Sequence, residues 1–298
     1  MSETLPTGIR AWIAGARVRT LPAAVVPVLV GTAAARGVDG SLIAWRAVAA
    51  AVVALALQVA TNFANDYSDG IRGTDDPGAR VGPVRLVGWG IVEPKAVKKA
   101  AFACFSVAGV FGLALAVAVG PELIAVGLVS IAAGWFYTGG SNPYGYLGLG
   151  ELFVFVFFGV VATVGSTYVQ VGAITGLSLL ASVPVGLLAT ALLVTNNLRD
   201  IPGDTEVGKQ TLAVRLGDRR TRGLYVAMLV VAFVLVVPLA LDRGGAAVAL
   251  VAAVLAVAPV RSVLEGASGA GLIPVLGNTG RVQLVFGVLL ASGLAVSA

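Results

Sequence analysis

Two clusters of oxygen-bearing side chains follow apolar runs in a chain that is otherwise strongly hydrophobic. The first cluster contains Asn62, Asn65, Asp66 and Asp69, and the second contains Asn196, Asp200 and Asp204. A carboxylate near the centre of a bilayer costs about 2.5 to 3.5 kcal/mol on insertion scales. Two such clusters at comparable places in one chain therefore predict a functional site.

The spacing within each cluster is compatible with metal binding. Asn62, Asp66 and Asp69 are four and then three residues apart, whereas the residues of the second cluster are four apart. Each set lines one face of a helix end if helicity continues that far. Oxygen ligands from facing helices suit a hard cation, and Mg²⁺ commonly binds through one or two carboxylates together with substrate phosphates.

Positively charged side chains accompany both clusters and could neutralise the charge of a bound diphosphate. They are Arg72, Arg85, Arg199, Lys209 and Arg215. The alternative is that the acids form only ion pairs with loop arginines at the membrane surface. Because Asn and Asp recur at matching offsets in both clusters, the sequence favours a diphosphate site.

The composition indicates which elements must position these residues. Apolar residues make up 58% of the 298 residues and charged residues 12%, and the mean hydropathy is +0.95. Soluble domains average about 45 to 50% apolar and about 25% charged residues. We therefore expect an all-α, polytopic membrane protein with one domain spanning 1–298, with the acidic motifs at 62–76 and 196–204.

Charge-free stretches predict nine membrane-spanning helices. They are 20–35, 47–65, 100–121, 123–138, two helices within 152–198 joined by a polar turn, 223–241, 244–260 and 282–298. Of the 20 Lys and Arg residues, all but Arg36, Arg46 and Arg243 fall on one side of this layout. The positive-inside rule places that side, with the N-terminus and both acidic clusters, in the cytoplasm.

Several classes of function are disfavoured by what the sequence lacks. There is no histidine, so centres that require histidine ligands are excluded. No segment has the glycine, lysine and hydroxyl spacing of a P-loop. The net charge of +5 lies mostly in loops beside the membrane, where anionic headgroups and phosphorylated ligands are the natural partners, and nucleic acid is not an expected partner.

The two acidic motifs resemble those of the UbiA superfamily of membrane prenyltransferases. Asn65-Asp66-x-x-Asp69 is similar to its first motif and Asp200-x-x-x-Asp204 to its second. The chain is most similar to members that act on 1,4-dihydroxy-2-naphthoate in menaquinone biosynthesis, through segments 17–22, 65–75, 80–85, 137–140, 143–148 with 150–151, 157–159 and 209–217. The resemblance implies a nine-helix bundle in a prokaryotic plasma membrane.

The resemblance also implies an activity and a set of site residues. A polyprenyl group would pass from polyprenyl diphosphate to 1,4-dihydroxy-2-naphthoate with loss of CO₂, giving demethylmenaquinol. Two Mg²⁺ ions would be held by Asp66 and Asp69 on one side and by Asp200 and Asp204 on the other, with Lys209 also catalytic. Substrate binding would fall to Asn62, Asn65, Arg72, Arg85, Tyr137, Tyr144, Glu151, Asn196, Arg215, Arg17 and Arg19.

Two alternative functions remain open at this point. A related enzyme on the same scaffold could use another acceptor, such as 4-hydroxybenzoate, homogentisate or a chlorophyllide. An ion-coupled transporter would require acids near the middle of its spans. The acids here follow apolar runs and adjoin basic loops, which favours an enzyme that handles phosphate.

Overall fold

A computed structural model of the chain describes residues 5–38, 42–75 and 84–298. These residues form helices and connecting turns, and no strand occurs among them. The α-helices are α1 Ile9–Ala16, α2 Pro22–Ala35, α3 Ala44–Ile71, α4 Pro94–Val119, α5 Glu122–Phe136, α6 Gly150–Val154, α7 Ala162–Val171, α8 Gly176–Glu206, α9 Leu212–Val234, α10 Val236–Asp242, α11 Ala253–Leu264 and α12 Leu272–Val296. The predicted all-α class is confirmed.

Each predicted span coincides with a helical segment of the described chain. One of these segments is too short to cross a membrane as a straight helix. Seven segments are long and apolar enough to cross a membrane, and α1 with α2 forms an eighth that is bent by 49°. The segment in the fourth place, α5, has only 15 residues. The bend before α2 follows Arg17, which has a left-handed backbone with φ of 50°.

The long span between residues 150 and 171 is not uniformly α-helical. A π-helix at Phe155–Val161 joins α6 to α7. Within it, Gly159 packs so closely on α8 that a Cβ atom there would lie 2.5 Å from the Cα atom of Gly186. Glycine is therefore required where these two backbones meet.

Both acidic motifs lie on helix ends that extend beyond the thickness of a bilayer. α3 has 28 residues and α8 has 31. At 1.5 Å per residue, a helix of 28 residues is about 42 Å long, whereas the hydrocarbon core is about 30 Å thick. α8 remains helical through Pro202 and ends at Glu206, so Asp200 and Asp204 lie one turn apart on one face.

The largest buried cluster lies between α2, α8, α9 and α12. Its members include Val26, Leu188, Leu229 and Phe286, each at most 1% exposed. Outward-facing apolar side chains are common elsewhere, as at Val117, which is 83% exposed. Buried helix contacts with an apolar exterior are the arrangement expected of a multi-pass membrane protein.

Candidate active site

The last turns of α3 present Asp69 to two partners from other parts of the chain. The Tyr146 hydroxyl donates a hydrogen bond of 2.6 Å to Asp69 Oδ1, and Lys209 Nζ lies 3.3 Å from Asp69 Oδ2. The lysine ammonium also lies 4.6 Å from the centroid of the Tyr146 ring. Asp69 and Lys209 are both buried. The carboxylate is thus charge-balanced by a lysine that is 140 residues away in sequence.

The Tyr146 hydroxyl is suited to act as a donor. Burial raises the pKa of Tyr146, and the neighbouring Asp69 carboxylate raises it further. A phenol with a raised pKa keeps its proton at neutral pH. Tyr146 therefore orients Asp69 by donating a hydrogen bond rather than by carrying charge.

Asp66 holds the segment that follows residues 76–83. Its Oδ2 accepts a hydrogen bond of 3.0 Å from the Leu86 N–H, and its Oδ1 accepts one of 2.9 Å from the Val87 N–H. The carboxylate is fully buried, and the positive charge of Arg17 acts on it. The structure therefore gives Asp66 a loop-anchoring contact that the sequence did not indicate, while a carboxylate retains lone pairs for a further ligand.

The two asparagines of the first motif connect α3 to its neighbours. Asn62 Nδ2 donates to the Ala16 carbonyl at 3.0 Å and to Thr20 Oγ1 at 3.2 Å. Asn65 Oδ1 accepts a hydrogen bond of 2.8 Å from Thr138 Oγ1. Asn62 therefore faces the end of α1, and Asn65 faces the loop after α5.

The second motif is organised around Arg199. Its Nε and Nη2 donate to the two oxygens of Asp200 at 2.7 and 2.9 Å. Nη2 also donates to Asn196 Oδ1 at 2.8 Å. Asp200 is 5% exposed, as is Arg199, so the pair is largely shielded from water.

The turn after α8 connects the two motifs. The Lys209 N–H donates to the Asp204 carbonyl at 2.8 Å, while the Lys209 side chain reaches Asp69. The next residue, Gln210, donates its N–H to the Tyr146 carbonyl at 3.0 Å. These contacts bring both motifs and the loop between α5 and α6 to one end of the helix bundle.

Aromatic rings lie beside this region. Tyr137 packs against Tyr144 with ring centroids 5.5 Å apart, and Tyr144 stacks on Phe153 at 3.9 Å. Burial raises the pKa of Tyr137 strongly, and the carboxylates of Glu151, Asp69 and Asp204 contribute to the rise. The Tyr137 hydroxyl therefore lies within electrostatic reach of Glu151 and of both acidic motifs.

Glu151 has a partner that the sequence reasoning missed. Asn197 Nδ2 donates a hydrogen bond of 2.9 Å to Glu151 Oε1, and both residues are buried. Asn197 precedes Asp200 by three residues and Asp204 by seven, so it lies on the same face of α8. That spacing was a signal that could have identified it.

The predicted cations have separate roles. Arg72 donates to the carbonyls of Thr138 and Gly140, and Arg215 Nε donates to the Gln210 carbonyl at 3.1 Å. Arg72 therefore stabilises the loop after α5, and Arg215 stabilises the turn after α8.

The remaining predicted arginines differ in how exposed they are to solvent. Arg85 is buried, with its Nε 3.4 Å from Asp75 Oδ2. Arg17 is half-buried and acts on Asp66, whereas Arg19 is exposed. The last residue of the predicted first motif, 76, and residues 80–83 of the similar segment 80–85 lie outside the described residues.

The oxygen ligands of the two motifs fit a hard divalent cation only if a bound ligand supplies further oxygens. In residues 5–38, 42–75 and 84–298, no three acidic, histidine or cysteine side chains are placed to hold one metal ion together. The motifs offer only carboxylate and amide oxygens, and Mg²⁺ needs no more than one or two carboxylates when phosphate oxygens complete its coordination. The site thus fits Mg²⁺ together with a phosphate-bearing ligand.

The fold and the site together define a multi-pass helical membrane protein with buried, charge-balanced aspartates at one end of the bundle. Residues 24–267 match the UbiA prenyltransferase family, so the chain belongs to that family.

Named relatives match along almost the whole chain. The chain is 50% identical over 284 residues to the 1,4-dihydroxy-2-naphthoate octaprenyltransferase of Mycobacterium tuberculosis, covering 95% of this chain and 96% of that protein. It is 36% identical over 309 residues to the enzyme of the same name from Escherichia coli, covering 100% of this chain and 99% of that protein.

Solved structures share the fold at low sequence identity. A UbiA homologue from Archaeoglobus fulgidus bound to DMAPP and Mg²⁺ superimposes with a TM-score of 0.59 at 14% identity, covering 94% of this chain and 99% of that chain. A digeranylgeranylglyceryl phosphate synthase superimposes with a TM-score of 0.64 at 12% identity, covering 97% of this chain and 99% of that chain. At this level of sequence identity, the comparisons show a shared fold only.

Proposed function

We propose that this protein transfers a polyprenyl group from polyprenyl diphosphate to 1,4-dihydroxy-2-naphthoate, with decarboxylation, giving demethylmenaquinol. The observation that carries the proposal is the 50% identity, along nearly the whole chain, to an enzyme named 1,4-dihydroxy-2-naphthoate octaprenyltransferase. The active site faces the cytoplasm from a prokaryotic plasma membrane. The placement of the basic residues supports that orientation.

The diphosphate occupies the region between the ends of α3 and α8. Asp66 and Asp69 on one side and Asp200 and Asp204 on the other would hold two Mg²⁺ ions. Metal ions held there would supply positive charge that neutralises the negative charge on the departing diphosphate. Support for this arrangement comes from the turn at Lys209, which contacts both motifs.

The lysine and arginine side chains of the site are paired with the aspartates that would hold metal. Lys209 pairs with Asp69, and Arg199 pairs with Asp200. If Asp69 holds a metal ion, Lys209 would become available for a diphosphate oxygen, with Arg72 at the end of α3 and Arg215 in the first turn of α9 as further cations. Charge-assisted hydrogen bonds of this kind are about twice as strong as neutral ones.

The direct test is product formation by purified protein in detergent with polyprenyl diphosphate and 1,4-dihydroxy-2-naphthoate, with Mg²⁺ or with a chelator. We expect demethylmenaquinol and CO₂ to appear together and only with the metal. No product from naphthoate, combined with prenylation of 4-hydroxybenzoate or homogentisate, would overturn the proposed acceptor. The absence of product with every acceptor would overturn the proposed activity.

A further inference from the structure

Glu151 is a buried carboxylate with one oxygen that has no hydrogen-bond partner. Its Oε1 is held by Asn197, whereas its Oε2 is buried and makes no hydrogen bond. A buried polar atom without a partner is costly, so each one in a folded protein needs a reason, such as a catalytic role or a bound ligand. The unpaired oxygen therefore points to a ligand group that can donate a hydrogen bond.

Three aspartates of the acidic motifs already use both carboxylate oxygens in hydrogen bonds. Asp66 accepts two backbone N–H groups, one on each oxygen. Asp69 uses one oxygen for Tyr146 and the other for Lys209, and Asp200 accepts hydrogen bonds from Arg199 on both oxygens. Glu151 differs from these three because one of its oxygens remains unused.

Glu151 also lies at a suitable place for a second substrate. A Cβ atom on the preceding residue, Gly150, would lie 3.2 Å from the hydroxyl oxygen of Tyr137. That hydroxyl is within electrostatic reach of Glu151, Asp69 and Asp204. Tyr137 therefore lies close to the residue before Glu151 and is also influenced by the acidic motifs assigned to the diphosphate.

The surroundings of Glu151 suit a flat aromatic molecule. Tyr144 is stacked on Phe153 at 3.9 Å, and Tyr137 meets Tyr144 edge-on at 5.5 Å. The Tyr144 hydroxyl donates to the Ala133 carbonyl at 2.7 Å, which fixes the ring within this aromatic cluster. Aromatic faces bind another aromatic ring by stacking, and a nearby carboxylate can orient a phenolic hydroxyl.

We propose that Glu151 binds and deprotonates a ring hydroxyl of the aromatic acceptor through Oε2. This inference rests on the proposed function. As a ring carbon bonds to the prenyl carbon, the carbon–oxygen bond to the diphosphate breaks and its electron pair leaves with the diphosphate. The hydroxyl proton passes to Glu151 Oε2, and the oxygen left on the ring becomes a carbonyl. The carboxylate on the prenylated carbon then leaves as CO₂, and its bonding electron pair returns to the ring. The ring oxygen takes the proton back from Glu151, which gives the hydroxyl of demethylmenaquinol and restores the Glu151 carboxylate.

Asn197 is the positioning residue for this step. Its amide holds Oε1 at 2.9 Å, which leaves Oε2 to meet the acceptor. Because Asn197 lies on the α8 face that carries Asp200 and Asp204, the same helix positions the proton acceptor and part of the diphosphate site. The ring hydroxyl and the departing group are thus arranged from one rigid element.

The experiment compares Glu151→Gln with wild type under saturating Mg²⁺. A general base typically contributes about 10² to 10⁴ in rate, so we expect kcat to fall at least ~100-fold. The KM for polyprenyl diphosphate should stay within about threefold of the wild-type value, because Glu151 contacts the aromatic acceptor and not the diphosphate. Glu122→Gln is the matched control, because Glu122 is exposed at the start of α5 and should leave both constants unchanged.

A second readout separates proton transfer from a structural effect. The two naphthoate acceptors that carry a methyl ether at one hydroxyl or at the other are compared. In wild type, turnover should fall with the acceptor whose methylated hydroxyl is the one that Glu151 deprotonates. In Glu151→Gln, methylation of that same hydroxyl should cause no further fall. Asn197→Ala should give a smaller fall in kcat, and Asn197→Gln should recover part of it. If the wild-type protein prenylates 1,4-dihydroxy-2-naphthoate and Glu151→Gln has the same kcat, this inference is overturned and the proposed function stands.

The proposed function can fail separately from this inference. If wild type prenylates a different phenol, the Glu151→Gln comparison is made with that phenol, and an unchanged kcat overturns the role of Glu151. If wild type prenylates no hydroxylated ring at all, both proposals are overturned. Thermal unfolding in the same detergent establishes that each variant is folded before its rate is compared.

Discussion

At the scale of single residues, the site depends on contacts between groups far apart in sequence. Asp69 illustrates this, since its partners Tyr146 and Lys209 come from two different loops. The sequence suggested the aspartate and the lysine, because acids after an apolar run and a basic loop are visible there. Tyr146 was not predicted, since one tyrosine among several in a loop carries no spacing signal.

Removing the Tyr146 hydroxyl tests this contact. Tyr146→Phe keeps the ring beside Lys209 but leaves Asp69 without its 2.6 Å donor. A hydrogen bond to a charged group contributes about 1.5 to 3 kcal/mol, so we expect a lower Tm and about a tenfold fall in kcat/KM. The measurements are thermal unfolding and steady-state kinetics in one detergent.

The control for that variant is Tyr168→Phe. Tyr168 donates to the Glu122 carboxylate near the start of α5, away from the acidic motifs. Its loss should leave kcat/KM unchanged. Equal kcat/KM for Tyr146→Phe and wild type would show that the hydroxyl does not help to organise Asp69 for catalysis.

Asp66 and Asn62 show where residue-level prediction reached its limit. Both belong to the motif that the sequence identified, yet Asp66 accepts the N–H groups of Leu86 and Val87, and Asn62 donates to the Ala16 carbonyl. Backbone groups are present at every position, so their pairing with a side chain follows only from the packing of the folded chain.

At the scale of elements, helix lengths explain why the motifs reach the end of the bundle. The apolar run ending near residue 65 predicted the span, but α3 continues to Ile71 and carries Asp66 and Asp69 on its last turns. The helix α8 likewise continues through Pro202. Hydropathy marks the membrane-embedded part of such helices, whereas their polar ends must be recognised from other signals.

The contact between α8 and the π-helix at Phe155–Val161 is a second element-level feature. Gly159→Ala would place a Cβ atom 2.5 Å from the Gly186 Cα atom, so one helix must shift. Overpacking of this kind typically costs about 1 to 3 kcal/mol, and we expect a lower Tm. Because α8 also carries Asp200, a fall in activity should accompany it.

Gly165→Ala is the matched control for this substitution. Gly165 belongs to the same span, and nothing lies within 4 Å of a Cβ atom placed there. Thermal unfolding of both variants in one detergent makes the comparison. A Tm for Gly159→Ala equal to that of Gly165→Ala would contradict the close contact.

At the scale of the whole molecule, the fold class could be predicted because apolar runs determine spans in a lipid environment. Eight of the expected spans, counting the bent pair α1 and α2 as one, meet the length and hydropathy needed to cross a bilayer, and α5 is shorter. The order of the helices around the bundle could not be predicted in the same way. Loop lengths and hydropathy do not specify which apolar faces pack together.

The central claim at this scale is that motifs 134 residues apart, at Asp66 and Asp200, form one diphosphate site. The structure supports it through Lys209, which reaches Asp69 with its side chain and the Asp204 carbonyl with its backbone. If both motifs act on one ligand, removing a carboxylate from either should weaken binding of the same molecule.

The most direct measurement is equilibrium binding of a non-reactive prenyl thiodiphosphate as Mg²⁺ is titrated, for wild type, Asp69→Asn and Asp204→Asn, with Asp218→Asn as an exposed control. We predict Mg²⁺-dependent binding by wild type and the control, with affinity reduced at least ~10-fold in each of the other variants, about 1.4 kcal/mol. Wild-type, Mg²⁺-dependent affinity in either Asp69→Asn or Asp204→Asn would contradict a single site shared by both motifs.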